Sequence, residues 1–150
     1  MPAPPQITKN AQWVIENFGP QSGLGHFGYD GESVAYLDTF VDRQGASFRA
    51  SEQNAERIIS LLGSFLGEAI IATYGGDWQQ TEQGLSLSIQ AGGQFHILQP
   101  FQKVQKRLAN GPEDSLHFYF ATFLPQILSQ PGPTDLPPNA GTKKPWWKFS

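Results

Sequence analysis

Residues 51–76 constrain this chain more than any other stretch. Ser51 can accept a hydrogen bond from the first turn of a helix, and Glu52 and Glu56 put negative charge where the helix dipole favours it. The predicted helix runs to about Tyr74. Projected at about 100° per residue, Ile58, Ile59, Leu61, Leu62, Phe65, Leu66, Ala69, Ile70 and Thr73 cover about half its circumference. Ser60, Gly63, Gly67 and Ile71 make a second face of mostly small side chains. A glycine inside a helix costs roughly 1 kcal/mol relative to alanine, so two of them four apart point to close approach by another backbone, helix or sheet. Burial on two sides follows. Gly75 and Gly76 stop the helix, one of them in the left-handed position beyond its end.

After Gly76 the apolar period shifts from 3.6 to 2. Trp78, Gln79 and Gln80 read as a first strand, Glu82-Gln83-Gly84 as a turn, and residues 85–90 as a clean alternating strand. Ala91-Gly92-Gly93 turns the chain into a third strand through Phe95, His96, Ile97 and Leu98. Leu85, Leu87 and Ile89 fall on one side and serines on the other, as in an antiparallel meander with one wet face. Upstream, Asp30 is an N-cap candidate for a helix over 31–44, with Val34, Leu37, Phe40 and Val41 at helical spacing and Gly45-Ala46 as its end. Downstream, Pro100 suits the first turn of a helix with Phe101, Val104 and Leu108 as its stripe and Lys103, Lys106 and Arg107 in its last half. Asn110-Gly111 stops it. Pro112 then opens a helix with Glu113 and Asp114 in its first turn and Leu116, Phe120, Phe123 and Ile127 on its buried face, kinked or ended by Pro125.

The expected fold class is therefore α+β: two helices, a three-stranded antiparallel meander and two more helices on one face, forming a single domain over 30–129. Residues 1–29 read as an irregular segment anchored by Trp13, Val14, Ile15 and Phe18. Residues 130–150 read as a flexible Pro/Gly-rich tail with an aromatic end, Trp146-Trp147-Lys148-Phe149.

A chain of 150 residues is long enough for one well-buried core. With no cysteine it has neither disulfides nor a thiolate metal site. The start lacks the basic and apolar regions of a signal peptide, and no apolar stretch reaches the ~18 residues of a membrane span. The expected setting is the cytoplasm. The net charge of −3 is unevenly spread: residues 10–82 hold ten acids against three arginines, a net of −7, and residues 83–150 a net of +3. The halves either neutralise each other or steer a partner. The absence of a basic stripe and a pI of ≈ 5.5 argue against nucleic acid as that partner.

Few residues suggest chemistry. Gly23, Gly25 and Gly28 match the spacing of a dinucleotide fingerprint, but that motif needs a buried strand before it, and residues 17–22 give none. A glycine loop is the better reading. His26, His96 and His117 sit in different elements without metal-ligand spacing, although Glu113 and Asp114 precede His117 by four and three residues. Glu68 lies at the margin of the apolar arc, where partial desolvation raises a carboxyl's pKa unless it is paired. It could serve as a general acid or base, or form an ion pair with Lys103, Arg107 or another base; the ion pair is preferred because no nucleophile or metal is indicated. Trp78, between helix and strand, reads as a core plug whose indole N–H finds a backbone carbonyl. Ser115 lacks the glycines of a nucleophile elbow.

Four phrases carry a resemblance: Leu62-Gly63-Ser64-Phe65-Leu66-Gly67-Glu68, Gly75-Gly76 with Trp78, Pro100-Phe101 with Lys103, Val104 and Lys106, and Asn110-Gly111-Pro112-Glu113-Asp114-Ser115. Together with Gly28-Tyr29-Asp30-Gly31-Glu32-Ser33-Val34, they resemble a bacterial family of uncharacterised proteins, a domain of unknown function. The resemblance spans about residues 27–123 and implies no activity, though small stand-alone bacterial proteins of this kind are compatible with immunity or accessory roles. The functional expectation is a small non-enzymatic interaction protein that binds another protein and needs no cofactor or metal. Its candidate binding residues are Glu68, Trp78, Lys103, Arg107, Trp146 and Trp147. The alternative is a small enzyme or ligand-binding protein using Glu68 with Lys103, Arg107 or His117.

Overall fold

The structure, a computed structural model, describes residues 3–129. Its architecture is α+β, with helices before and after a three-stranded antiparallel sheet. The first element corrects the sequence reading, because α1 (Pro5–Ser22) is a helix where an irregular segment is expected. Pro5 occupies the first turn, where its missing N–H costs nothing, and Ile7, Ala11, Val14 and Phe18 form a buried helical stripe. Gly19 and Pro20 disguise that stripe in the sequence, but both fall in the last turn before Gly23 ends the helix at φ 78°. Val14 and Phe18 anchor the helix as expected. Trp13 does not: it is 37% exposed.

α2 (Gly31–Arg49) begins as predicted, with Asp30 Oδ1 accepting from the Ser33 amide at 2.9 Å. It runs through Gly45-Ala46, the expected stop. A glycine without a left-handed backbone weakens a helix by about 1 kcal/mol and does not end it. α2 yields only at Ala50, and Ser51 then caps α3 (Glu52–Tyr74) by accepting from the Asn54 amide. α3 is the central helix, packed against α1, α2 and the helix that follows the sheet. Side-chain rings, rather than another backbone, approach its glycines. A Cβ on Gly63 would overlap the Phe101 ring, and one on Gly67 the Trp78 indole. The glycines are sockets for two rings that themselves lie 6.0 Å apart between centroids.

β1 (Asp77–Thr81), β2 (Gly84–Ala91) and β3 (Gln94–Leu98) form the expected meander. Trp78, Leu87 and Leu98 stand side by side across it, all buried. The opposite face carries Gln79, Ser88, Gln90 and Phe95. Ser86 departs from the expected wet face: it is buried, with its hydroxyl 3.2 Å from Thr81 Oγ1 and 3.3 Å from the Gly84 carbonyl. His96 is buried opposite Ile89, and its Nε2 has no hydrogen-bond partner among the described residues. An unpaired buried nitrogen costs about 1–3 kcal/mol. His96→Leu is thus expected to hold or raise stability in urea denaturation, and a marked loss would contradict this account of the imidazole.

α4 (Pro100–Asn110) buries Val104, Arg107 and Leu108. Pro112–Asp114 is a 3-10 turn, so Glu113 and Asp114 do not open a helix as the sequence suggests. Helical structure resumes at α5 (Leu116–Phe118), widens into a π-helical turn over Tyr119–Phe123 and closes as α6 (Leu124–Leu128). Pro125, which has no N–H for the ladder, follows that wide turn without breaking the helix. Leu116, Phe120, Phe123 and Ile127 are buried as predicted.

Burial pushes the phenols of Tyr29, Tyr74 and, most strongly, Tyr119 above the ordinary tyrosine value; the charge of Glu68 adds to the effect at Tyr29. Each raised pKa contributes stability that is complete below about pH 10 and lost as pH rises from there towards the folded value. Tyr119→Phe is expected to flatten the alkaline fall in melting temperature, and an unchanged fall would contradict the buried phenol's part in it.

Candidate functional site

The residues singled out in the sequence do not converge. Arg107, 2% exposed, reaches from α4 to α2. Its Nε donates to Asp38 Oδ1 at 2.8 Å, and an Nη donates to the Asp38 carbonyl at 3.2 Å and to Asp42 Oδ1. Burial alone would lower the pKa of this guanidinium, but the hydrogen bonds to Asp42 and Asp38 outweigh it and raise the pKa. Asp38 has a second task. Its carboxylate accepts the Leu116 and His117 amides and the Ser115 hydroxyl, each at 2.9 Å. From another helix it therefore satisfies the first two amides of α5, and the Ser115 hydroxyl takes the third, Phe118. Sequence reasoning missed Asp38 because its partners lie 69 to 79 residues away.

Lys103 donates to Asp114 Oδ1 at 3.2 Å and sits 5.3 Å from the centre of the Tyr119 ring. Burial raises the Asp114 pKa, but the Asn110 amide and Lys103 more than offset it, so the net shift is downward. Glu68 is half-buried, and its Oε2 accepts the Trp78 indole N–H at 3.3 Å. Two expectations are thus corrected: the indole finds a carboxylate rather than a backbone carbonyl, and Glu68 meets an indole rather than Lys103 or Arg107. His117 is exposed, and His26 Nε2 lies 3.8 Å from Asp30 Oδ2. The glycine loop from Gly23 follows α1, not a strand, as the rejected dinucleotide reading requires. Among the described residues no group of three His, Asp or Glu could hold a metal ion. Trp146 and Trp147 lie outside the described residues.

Among the described residues, one concavity brings two cations together with a large aromatic side chain. A groove of about 480 Å³ runs between α1 and α3, lined by Lys9, Asn10, Trp13, Arg57, Ser60 and Leu61 among others. The Asn10 amide nitrogen is held by Ser64 Oγ at 3.3 Å, and Ser64 Oγ donates to the Ser60 carbonyl at 2.6 Å. Its polar floor is thereby occupied. Among the described residues Lys9 and Arg57 make neither an ion pair nor a side-chain hydrogen bond. Trp13 and Lys9 also line an adjoining hollow of about 340 Å³, which adds Glu16. These residues escape sequence reasoning because α1 has to be recognised as a helix before Lys9 and Trp13, four apart, fall on one exposed face. No described helix is long and apolar enough to cross a membrane. Searches with protein-family models, the curated proteins and the solved structures give no match to this chain.

Proposed function

We propose that this is a small non-enzymatic interaction protein of adaptor or immunity type, working in the cytoplasm by binding another protein. One observation carries the reading: the charged groups suited to chemistry are spent on the fold, whereas large aromatic side chains are turned outward. Arg107 is divided between Asp38 and Asp42, Lys103 is on Asp114 and Glu68 is on Trp78. Trp13, Phe95 and Phe118 are exposed, the last two at 68% and 59%. Exposed aromatics are the residue type most enriched at the energetic centres of protein interfaces. The alternative enzyme needs Glu68 to share a site with Lys103, Arg107 or His117, whereas the Glu68 carboxylate is engaged by the Trp78 indole, Lys103 by Asp114 and Arg107 by Asp38 and Asp42.

Photocrosslinking in the native cells tests the proposal. A photoreactive residue is placed at Trp13, Phe95 or Phe118, with exposed Gln83 as control. A discrete protein adduct is expected from at least one aromatic position and none from the control. No adduct from any of the three would overturn the proposal.

A further inference from the structure

We infer that the α1–α3 groove is where the partner binds, and that its occupant is an acidic peptide segment carrying apolar side chains. This inference rests on the interaction reading above and names its site and ligand chemistry. The unused groups in and around the groove are of one kind. Lys9 and Arg57 supply cations without acceptors, and exposed Trp13 supplies an apolar face with an N–H donor at its edge. Nearly buried Leu61 floors the groove beneath them. A guanidinium and an ammonium flanking apolar surface fit carboxylates spaced along a peptide with an apolar side chain between them. The guanidinium adds selectivity by binding a carboxylate through two parallel N–H donors.

The surroundings favour that occupant over other anions. α1 has no acid in its first turn and no side-chain cap, so its positive end is uncompensated. Glu16, in the adjoining hollow, receives an N–H from Gln12 and is the one carboxylate among the described residues lining the two hollows. A nucleic acid or an anionic membrane asks for a broad basic field, and a chain of net charge −3 with two cations in one groove does not offer it.

The test is an NMR titration of the isotopically labelled full chain with a peptide of glutamate and leucine, against a control peptide with glutamine in place of glutamate. The acidic peptide is expected to shift amides of α1 and α3 and to bind at least tenfold more tightly than the control. Shortening the Debye length from ~10 Å to ~3 Å by raising salt to about 1 M should weaken it severalfold. Lys9→Glu with Arg57→Glu should abolish the preference, and Trp13→Ala should lower affinity at least threefold; all three side chains are exposed, so the fold is expected to survive. Equal binding of the two peptides, unchanged affinity in the charge-reversed variant, or tighter binding of a single-stranded oligonucleotide would each overturn the inference. Crosslinks from Phe95 or Phe118 alongside such a result would leave the interaction reading standing and remove only the groove.

Discussion

Asp38→Ala is expected to cost about 3–5 kcal/mol of folding stability, measured by urea denaturation, the range for removing one partner of a buried ion pair. The substitution leaves Arg107 Nε without its acceptor in a site where the guanidinium is almost wholly enclosed. It also strips the Leu116 and His117 amides and the Ser115 hydroxyl of their common acceptor, leaving the start of α5 with only the Ser115 hydroxyl, which accepts from the Phe118 amide. Against a typical total of 5–15 kcal/mol, that is a large fraction. Asp42 provides the internal comparison. It takes the same guanidinium, but its side chain is 54% exposed, and water can replace the lost bond. Asp42→Ala should cost no more than about 1 kcal/mol. Equal losses from the two aspartates would contradict the assignment of Asp38 as the shared hub of α2, α4 and α5.

Gly67→Ala should be the second large loss. The new methyl would overlap the six-membered ring of Trp78, which is 1% exposed and tied to α3 through Glu68 one residue beyond the glycine. Two effects oppose each other. Alanine gains about 1 kcal/mol of helix propensity over glycine. Overpacking a closed core costs about 1–3 kcal/mol and occasionally more, and here the overlapped group is a rigid ring that cannot rotate aside. With the cost at the top of that range, overpacking wins by about 2 kcal/mol, visible as a lowered denaturation midpoint and a displaced Trp78 fluorescence. Gly25→Ala is the control. A Cβ there meets nothing within 4 Å, and its backbone is not left-handed, so stability should hold. A Gly67→Ala variant as stable as the parent would mean that the indole is not seated on that glycine.

These two sites also show what a linear reading of the chain could reach. The glycine pair in α3 announces a close approach, because only a packing reason offsets two helix-weakening residues four apart. Which group arrives depends on the sheet folding back over α3, and that is a long-range fact. The meander was legible because period-2 alternation and glycine turns are local signals. α1 was not, since Gly19 and Pro20 suggest a break that is harmless at a helix end. The candidate site was less legible than the fold. Glu68, Lys103 and Arg107 look like a set when helices are projected singly, but their partners come from distant positions: Asp38 and Asp42 from α2, Trp78 from β1. Conversely Lys9 and Arg57 carry no signal in the linear chain and line one groove only when α1 lies along α3.

One set of charges holds the fold and another, in the proposed groove, holds a partner, and one experiment addresses both. The crosslink from Phe95 or Phe118 is repeated in Glu68→Gln and in the Lys9→Glu, Arg57→Glu double variant. Glutamine keeps an oxygen for the Trp78 indole while removing the ionisable group, so the adduct should persist undiminished. Charge reversal in the groove should remove it. Loss of the adduct in a folded Glu68→Gln protein, with its persistence in the groove variant, would contradict the account.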